Sequence, residues 1–366
     1  MRAIEAETFS GYGGLRQIAL PKPQPAKDEV LIRVTAAGVT ALDHTILSGG
    51  HPLAKAPLVL GNEGAGVVED AGDSGLAVGS RVMFTGPYGA RENGAWQEWL
   101  LARPEHLALV PDAIGDVVAA SLPVAYLTAQ TTLTLAGFKP GKTVLAPGIG
   151  GSVGNATYQL ARAQGAGKVI STAGSATKAA KARELGFEDV IDLTSEGLAD
   201  GVRRITAGKG VDIAIESIGG TVTSEALSSL ALGGVLITLG YSAGRKTTID
   251  VTDLIWKGAR MAGFSLFAQS PTAIATAWRD IIPLMVTGSV KPIVERVYPL
   301  GEAGEALRHL TEDRLWQSSL GGVIDMATVS PQLPRKRIIH WDDPRALAET
   351  AQTMKRTRLS GRHASR

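Results

Sequence analysis

The stretch Ala146-Pro147-Gly148-Ile149-Gly150-Gly151-Ser152-Val153-Gly154 decides the fold of this chain. It follows a short apolar run at 142–146 and leads into a helical pattern opening at Ser152, so its glycines fall on a strand-to-helix turn. Glycine there permits a sharp bend and close backbone approach to a pyrophosphate, while the first-turn N–H groups and the helix dipole face the anion. The bare spacing recurs by chance in glycine-rich chains; the strand before it and the helix after it make it a phosphate cradle. Val153, Ala156, Thr157, Leu160, Ala161 and Gln164 recur at i, i+3, i+4, i+7, i+8 and i+11, so mostly small or apolar residues line one helix face.

Downstream, 168–172 reads as a second strand, 175–185 as a second helix and 189–192 as a third strand. That βαβαβ order predicts a doubly wound parallel sheet, with later strands at 211–216, 234–240 and 261–267. Enzymes that prefer the non-phosphorylated dinucleotide place Asp or Glu about 20 residues past the glycine turn to hold the ribose 2′-hydroxyl. Here the second strand runs into Ala173-Gly174-Ser175-Ala176-Thr177-Lys178, a hydroxyl and an ammonium with no carboxylate to repel a 2′-phosphate. NADPH is therefore the expected cofactor. Ser175 also suits a helix N-cap, and a solvated helix face remains the alternative for Lys178.

Ahead of this unit, β-prone runs at 30–35, 64–69, 80–84, 95–102 and 108–110 alternate with Gly, Pro and Asp, which predicts an antiparallel, barrel-like domain. After it come a helix at 271–286, a strand at 293–298, a helix at 302–312 and a strand at 322–325, read as a return to the first domain. The expected organisation is a first domain at 1–122, a dinucleotide-binding domain at 123–265, the return at 266–326 and a tail at 327–366. The tail holds nine Lys or Arg against three acidic residues. It reads as a solvated arm, or a short helix at 344–354 followed by disorder, and its single aromatic, Trp341, argues against a nucleic-acid partner.

The 366 residues are 44% hydrophobic and 20% charged with net charge +2, enough to bury two cores. The start, Met1-Arg2-Ala3-Ile4-Glu5, has no apolar leader run, and no apolar stretch approaches the ~20 residues of a spanning helix, so a cytoplasmic location is expected. With no cysteine and 6 His, disulfides and thiolate zinc sites are excluded and no metal centre is expected.

Several ordered segments carry a resemblance: Ala36-Ala37-Gly38-Val39-Thr40-Ala41-Leu42-Asp43, Leu60-Gly61-Asn62-Glu63-Gly64-Ala65-Gly66-Val67-Val68, Val78-Gly79-Ser80-Arg81-Val82, Leu127-Thr128-Ala129, the glycine loop and Leu232-Gly233-Gly234. Over about residues 1–326 the chain resembles the medium-chain dehydrogenase/reductase superfamily, in its zinc-free quinone oxidoreductase (zeta-crystallin-like) branch. The resemblance implies an α/β fold, a GroES-like β-barrel domain joined to a Rossmann doubly wound sheet, and a homodimer formed by edge-strand pairing. Zinc-dependent relatives place Cys where this chain has Thr40 and His where it has Asn62, and their four-cysteine lobe is replaced by a short glycine-containing segment at 86–94. Zinc-assisted alcohol oxidation is thereby disfavoured.

What the resemblance implies instead is hydride transfer from NADPH to a quinone or to the β-carbon of an α,β-unsaturated carbonyl, with the protein orienting the ring and stabilising an oxyanion. The catalytic candidates it transfers are Thr40, Asp43, His51, Asn62 and Tyr126. For the cofactor they are Thr128 at the nicotinamide, Gly150, Gly151, Ser152 and Val153 at the pyrophosphate, Ser175 and Lys178 at the 2′-phosphate, and Gly240 at a strand end. Quinone oxidoreductases often carry Asn at position 40 and Tyr at positions 51 and 193, where this chain has Thr40, His51 and Leu193. Two other readings stay open: a zinc-free, NADP-linked alcohol dehydrogenase using His51 as base, and a non-catalytic NADPH-binding protein with an RNA-associated or structural role.

Overall fold

The computed structural model describes residues 1–312 and 322–326; the basic tail and its predicted short helix lie outside the described residues. The amino-terminal part contains β1 (Arg2–Ala6), β2 (Leu15–Ala19), β3 (Val30–Gly38), α1 (Ala41–Leu47), β4 (Leu58–Val59), β5 (Glu63–Asp70), β6 (Arg81–Thr85), β7 (Trp99–Ala102) and β8 (Leu107–Leu109). Two short helices, α2 (Asp116–Ala120) and α3 (Pro123–Leu135), lead out of it. The longest pairing joins β3 to β5, antiparallel, with β7 on the other flank of β3 and β6 then β8 beyond β5. β1, β2 and β4 form a separate three-stranded antiparallel sheet. The alternation of Val, Ile and Ala in β3 buries both faces, so β3 is the spine of this lobe's core.

The strand predicted at 95–102 is shorter than its β-prone composition suggests. Residues 95–97 make irregular contacts instead: Ala95 and Trp96 donate N–H bonds to the carbonyls of Gly61 and Leu60, and Ile4 N–H donates to that of Trp96. The Trp96 indole is fully buried and donates to the Gly38 carbonyl at 3.1 Å. A large aromatic plugging the barrel thus overrides ladder pairing there.

The second lobe alternates β9 (Thr143–Ala146), α4 (Ser152–Ala163), β10 (Lys168–Ala173), α5 (Ala176–Glu184), β11 (Val190–Asp192), α6 (Leu198–Ile205), β12 (Val211–Glu216), α7 (Thr221–Ser228), β13 (Leu230–Thr238), α8 (Val251–Lys257) and β14 (Arg260–Gly263). All pairs are parallel, in the order β11-β10-β9-β12-β13-β14. The chain winds outward from β9 to β11, then returns to lay β12 against the free side of β9. That reversal is the topological switch point, and a crevice opens outside the carboxyl ends of β9 and β12. Strand β14 ends earlier than the sequence reading, and 266–268 forms a single 3-10 turn.

The helix predicted at 271–286 forms as α9 (Pro271–Val286), capped by Ser270 through the N–H of Ala273. It packs on α3 with Ala277, Trp278, Ile281 and Met285 in the core that also holds α4, so this segment adheres to the nucleotide-binding lobe. From β15 (Arg296–Pro299) through α10 (Ala303–Glu312) to β16 (Gly322–Asp325) the chain joins the first lobe, with β16 antiparallel to β3. Among the described residues no helix is long and apolar enough to cross a membrane.

Candidate active site

The glycine loop leaves β9 at the switch point and is fastened to the end of β10. Gly148, at φ +76°, donates its N–H to the Thr172 hydroxyl at 2.9 Å, and Ile149 N–H reaches the Thr172 carbonyl at 2.9 Å. A Cβ on Gly154 would lie 2.3 Å from the Gly148 carbonyl oxygen and 2.5 Å from that of Pro147; one on Gly151 would lie 3.1 Å from the former. Loop and first turn of α4 therefore touch backbone to backbone. The N–H groups of Ser152, Val153 and Gly154, in a first turn with no helical carbonyl to bond, border the crevice with Gly150 in the loop ahead of them. This cradle fits a dinucleotide pyrophosphate.

On the β10 side Ser175 caps α5, its hydroxyl accepting the N–H of Lys178 at 3.3 Å. No acidic residue follows β10 before α5. A carboxylate does end the neighbouring strand, since Asp192 is in register with Ala173. It accepts from the Thr194 N–H at 3.0 Å and hydroxyl at 2.6 Å, so it is engaged in its own turn. Those bonds hold it below the usual carboxylate range.

Across the switch point stands a carboxylate that the sequence reading missed. Glu216, the last residue of β12, is fully buried and accepts four bonds: the N–H groups of Ile218 and Gly219 at 2.5 and 2.7 Å, and the hydroxyls of Thr223 and Thr238 at 2.8 and 3.1 Å. It ties together the exits of β12 and β13. Gly240 follows β13, and a Cβ there would sit 1.9 Å from the Ser217 carbonyl oxygen, which leaves glycine as the one residue that fits. Ile218 in turn lies against Gly148, 3.0 Å from where its Cβ would be.

In the first lobe Thr40, Asp43 and Asn62 come together. Thr40 caps α1, and Asp43 Oδ2 accepts its N–H at 2.7 Å and its hydroxyl at 2.9 Å. Asp43 Oδ1 accepts the N–H of Gly61 at 3.0 Å, and Asn62 Nδ2 donates to the Thr40 hydroxyl oxygen at 2.9 Å. Both Asp43 and Asn62 are fully buried. Burial pushes the Asp43 carboxyl up to about 6, against the lowering effect of the bonds from Thr40 and Gly61.

Next to them is Glu63, also missed. It is buried against Gly38, and its Oε2 accepts the N–H of Val124 at 2.7 Å, which fastens β5 to the first turn of α3. Burial, reinforced by the charge of Asp43, raises its carboxyl to about 8, above the ordinary 4.5. Since the folded value lies above the unfolded one, folding takes up a proton between these limits. The associated stability is fully present below the unfolded value and is lost as pH rises through about 8. Glu63→Gln is therefore expected to melt several degrees higher than the parent at about pH 9 and to show a flatter pH dependence; parallel melting curves from about pH 5 to 9 would refute this.

Three other expected residues share no hydrogen bond with this cluster. Tyr126 and Thr128 are buried on α3. The Tyr126 hydroxyl meets Gln159 of α4 at 3.4 Å, and its phenol is pushed up by burial alone. Tyr126 is thus joined to the helix packing rather than to the Thr40 network. His51 lies in the loop after α1, its Nδ1 accepting the Leu53 N–H at 3.4 Å, and partial burial and the nearby Arg91 lower its pKa, so the ring is neutral at pH 7.

Zinc takes thiolate, imidazole or carboxylate ligands. At the positions where zinc-dependent relatives carry ligands this chain offers a hydroxyl and an amide bonded to each other, which do not fit that ion. Among the described residues no group of three His, Asp or Glu converges into a metal site.

Residues 26–112 match the alcohol dehydrogenase GroES-like domain model, and 152–285 match the zinc-binding dehydrogenase model. The quinone oxidoreductase of Pseudomonas aeruginosa is 30% identical over 322 residues, spanning 85% of this chain and 97% of that protein. That of Sus scrofa is 30% identical over 319 residues, spanning 86% and 95%. The solved Escherichia coli quinone oxidoreductase complexed with NADPH superposes with a TM-score of 0.79 at 26% identity, covering 89% of this chain and all of that one. On this likeness over nearly its whole described length, the chain is an oxidoreductase of the medium-chain dehydrogenase/reductase superfamily, belonging to its quinone oxidoreductase family.

Proposed function

We propose that this protein is an NADPH-dependent, metal-free reductase whose acceptor is a quinone or an α,β-unsaturated carbonyl. The observation that carries the reading is the buried Thr40–Asp43–Asn62 network, which offers a polar donor where zinc-dependent relatives hold a metal. The Thr40 hydroxyl donates to Asp43 and accepts from Asn62. Asn62 is fully buried, so the partly exposed Thr40 hydroxyl, held by both partners, is the donor that would turn to an acceptor oxygen as negative charge builds on it. When bound, NADPH would supply a hydride, a proton with two electrons, and a proton from water would balance the two-electron reduction of the acceptor. Asp43 acts as a positioning residue that fixes Thr40 and the Gly61 N–H.

For the cofactor, Gly150, Gly151, Ser152 and Val153 would hold the pyrophosphate, and Ser175 and Lys178 the 2′-phosphate. Lys178→Ala is expected to raise the KM for NADPH about tenfold and leave that for NADH within twofold, a loss typical of one charge-assisted contact. Equal effects on both cofactors would remove Lys178 from the 2′-phosphate site.

A homodimer is part of this proposal. Strand β14 is exposed along its length, and Ile255 and Trp256 of the adjoining α8 are 71% and 78% exposed, an apolar edge suited to a second copy. Sedimentation at micromolar concentration should give a dimer that Trp256→Glu weakens; a monomeric parent would contradict it.

A further inference from the structure

Glu216 is engaged more heavily than the last residue of a strand requires. All four of its donors are neutral: one carboxylate oxygen accepts the N–H groups of Ile218 and Gly219, and the other accepts the hydroxyls of Thr223 on α7 and Thr238 on β13. A carboxylate taken fully out of water is costly unless donors meet it on both oxygens, and here they do. Three elements converge on the group. β12 ends at Glu216, β13 ends at Thr238 in register with it, and α7 starts at Thr221.

What the carboxylate fixes is the turn 217–220 at the switch point. Gly219 and Gly220 take φ of +82° and +59°, and a Cβ on them would lie 2.6 Å from the Gly244 carbonyl oxygen and 2.9 Å from that of Ala243. The turn is therefore pressed onto the segment after β13. Ile218 is held through both of its backbone groups, its N–H by Glu216 and its carbonyl by the N–H of Ala243 at 2.8 Å. So fixed, its side chain meets the glycine loop, with Cδ1 3.0 Å from where a Cβ on Gly148 would stand. The same Gly148 is bonded to Thr172 at 2.9 Å. Direct contacts thus run from Glu216 through Ile218 to the loop that forms the pyrophosphate cradle.

Resting on the NADPH-binding part of the proposed function, we infer that Glu216 is a positioning residue for the cofactor, holding Ile218 against the glycine loop so that the cradle keeps its shape. An amide can do the same work. Gln at this position would keep one oxygen for the two N–H groups and turn its NH2 toward the Thr223 and Thr238 hydroxyls, which accept as well as donate. Alanine cannot, because it leaves two buried N–H groups without an acceptor and releases the turn from Gly148.

The test is the Kd for NADPH of the full-length protein by fluorescence titration, with hydrogen exchange of the segment 217–221. Glu216→Ala is expected to raise the Kd about 30-fold and to speed exchange of the Ile218 and Gly219 amides at least tenfold, while Glu216→Gln stays within about threefold on both. In turnover the Glu216→Ala loss should fall on the KM for NADPH, with kcat at saturating NADPH within about threefold. Thr238→Val, of similar size, withdraws one of the four bonds and should raise the Kd about fivefold. That variant decides the matter if Glu216→Ala does not fold. Parental affinity in Glu216→Ala, or in Thr238→Val where the first fails to fold, overturns the assignment, as does faster exchange with no change in Kd. Equal losses in Glu216→Gln and Glu216→Ala overturn it as well. A parent that binds NADPH and reduces no acceptor would remove the reductase reading and leave this assignment to stand on the Kd series; a parent that does not bind NADPH would remove both.

Discussion

Gly154→Val is expected to weaken NADPH binding at least 100-fold, measured by fluorescence titration. The parent Gly154 has no room for a Cβ, which would stand 2.3 Å from the Gly148 carbonyl oxygen and 2.5 Å from that of Pro147. Both obstacles are backbone, so a side chain separates the loop from the first turn of α4 and misdirects the N–H groups of Ser152 and Val153. A 100-fold loss corresponds to about 2.7 kcal/mol, the scale of one or two charge-assisted hydrogen bonds lost. Circular dichroism is expected to show the variant folded, which makes the loss one of binding and not of structure. Wild-type affinity in Gly154→Val would mean that the pyrophosphate does not lie on this turn.

Asp43→Asn is expected to lower kcat by roughly 100-fold or more while leaving the Kd for NADPH within about twofold. The carboxylate accepts three bonds at once, two from Thr40 and one from Gly61. An amide keeps one acceptor oxygen but puts an NH2 where the other stood, so at least one of these donors faces a donor, which costs about 1–3 kcal/mol, or roughly five- to 150-fold in rate. Because Asp43 acts through Thr40 and Asn62, a purely structural role would be revealed by equal losses in stability and activity; a fall in kcat at unchanged NADPH affinity is the signature of positioning. The Asp43 carboxyl is raised to about 6, so parent activity should also decline as pH falls through that value and the Thr40 hydroxyl loses its charged partner. In Asp43→Asn that acid limb should vanish.

What could be read from the sequence was set by local rules. The glycine loop announced itself because a turn of that shape needs glycine at Gly148 and Gly154, and α4 begins at Ser152 as its small-residue stripe requires. The helix from Pro271 to Val286 was equally legible, with a Ser cap and a proline at its first position. Thr40, Asp43 and Asn62 were named through family likeness, and the hydrogen bonds that unite them span 22 residues of sequence, which no periodicity encodes.

Glu63 and Glu216 were missed for a common reason. A lone acid at the end of a strand is indistinguishable in sequence from a solvated one, and their burial comes from α3 and from the β12 and β13 exits packing over them. The best local signal lay beside Glu216, where Gly219 and Gly220 both take positive φ and mark a turn in need of an acceptor. Tyr126 was named through the same family likeness; it is buried on α3, where its hydroxyl meets Gln159 of α4.

The most direct measurement is NADPH oxidation by the purified protein across quinones, enones and enals, with NADH and chelator-treated samples alongside. The account predicts turnover of at least one acceptor class with NADPH, a weaker rate with NADH, and no effect of chelator. Tight NADPH binding with no turnover of any acceptor, or activity abolished by chelator and restored by zinc, would contradict it.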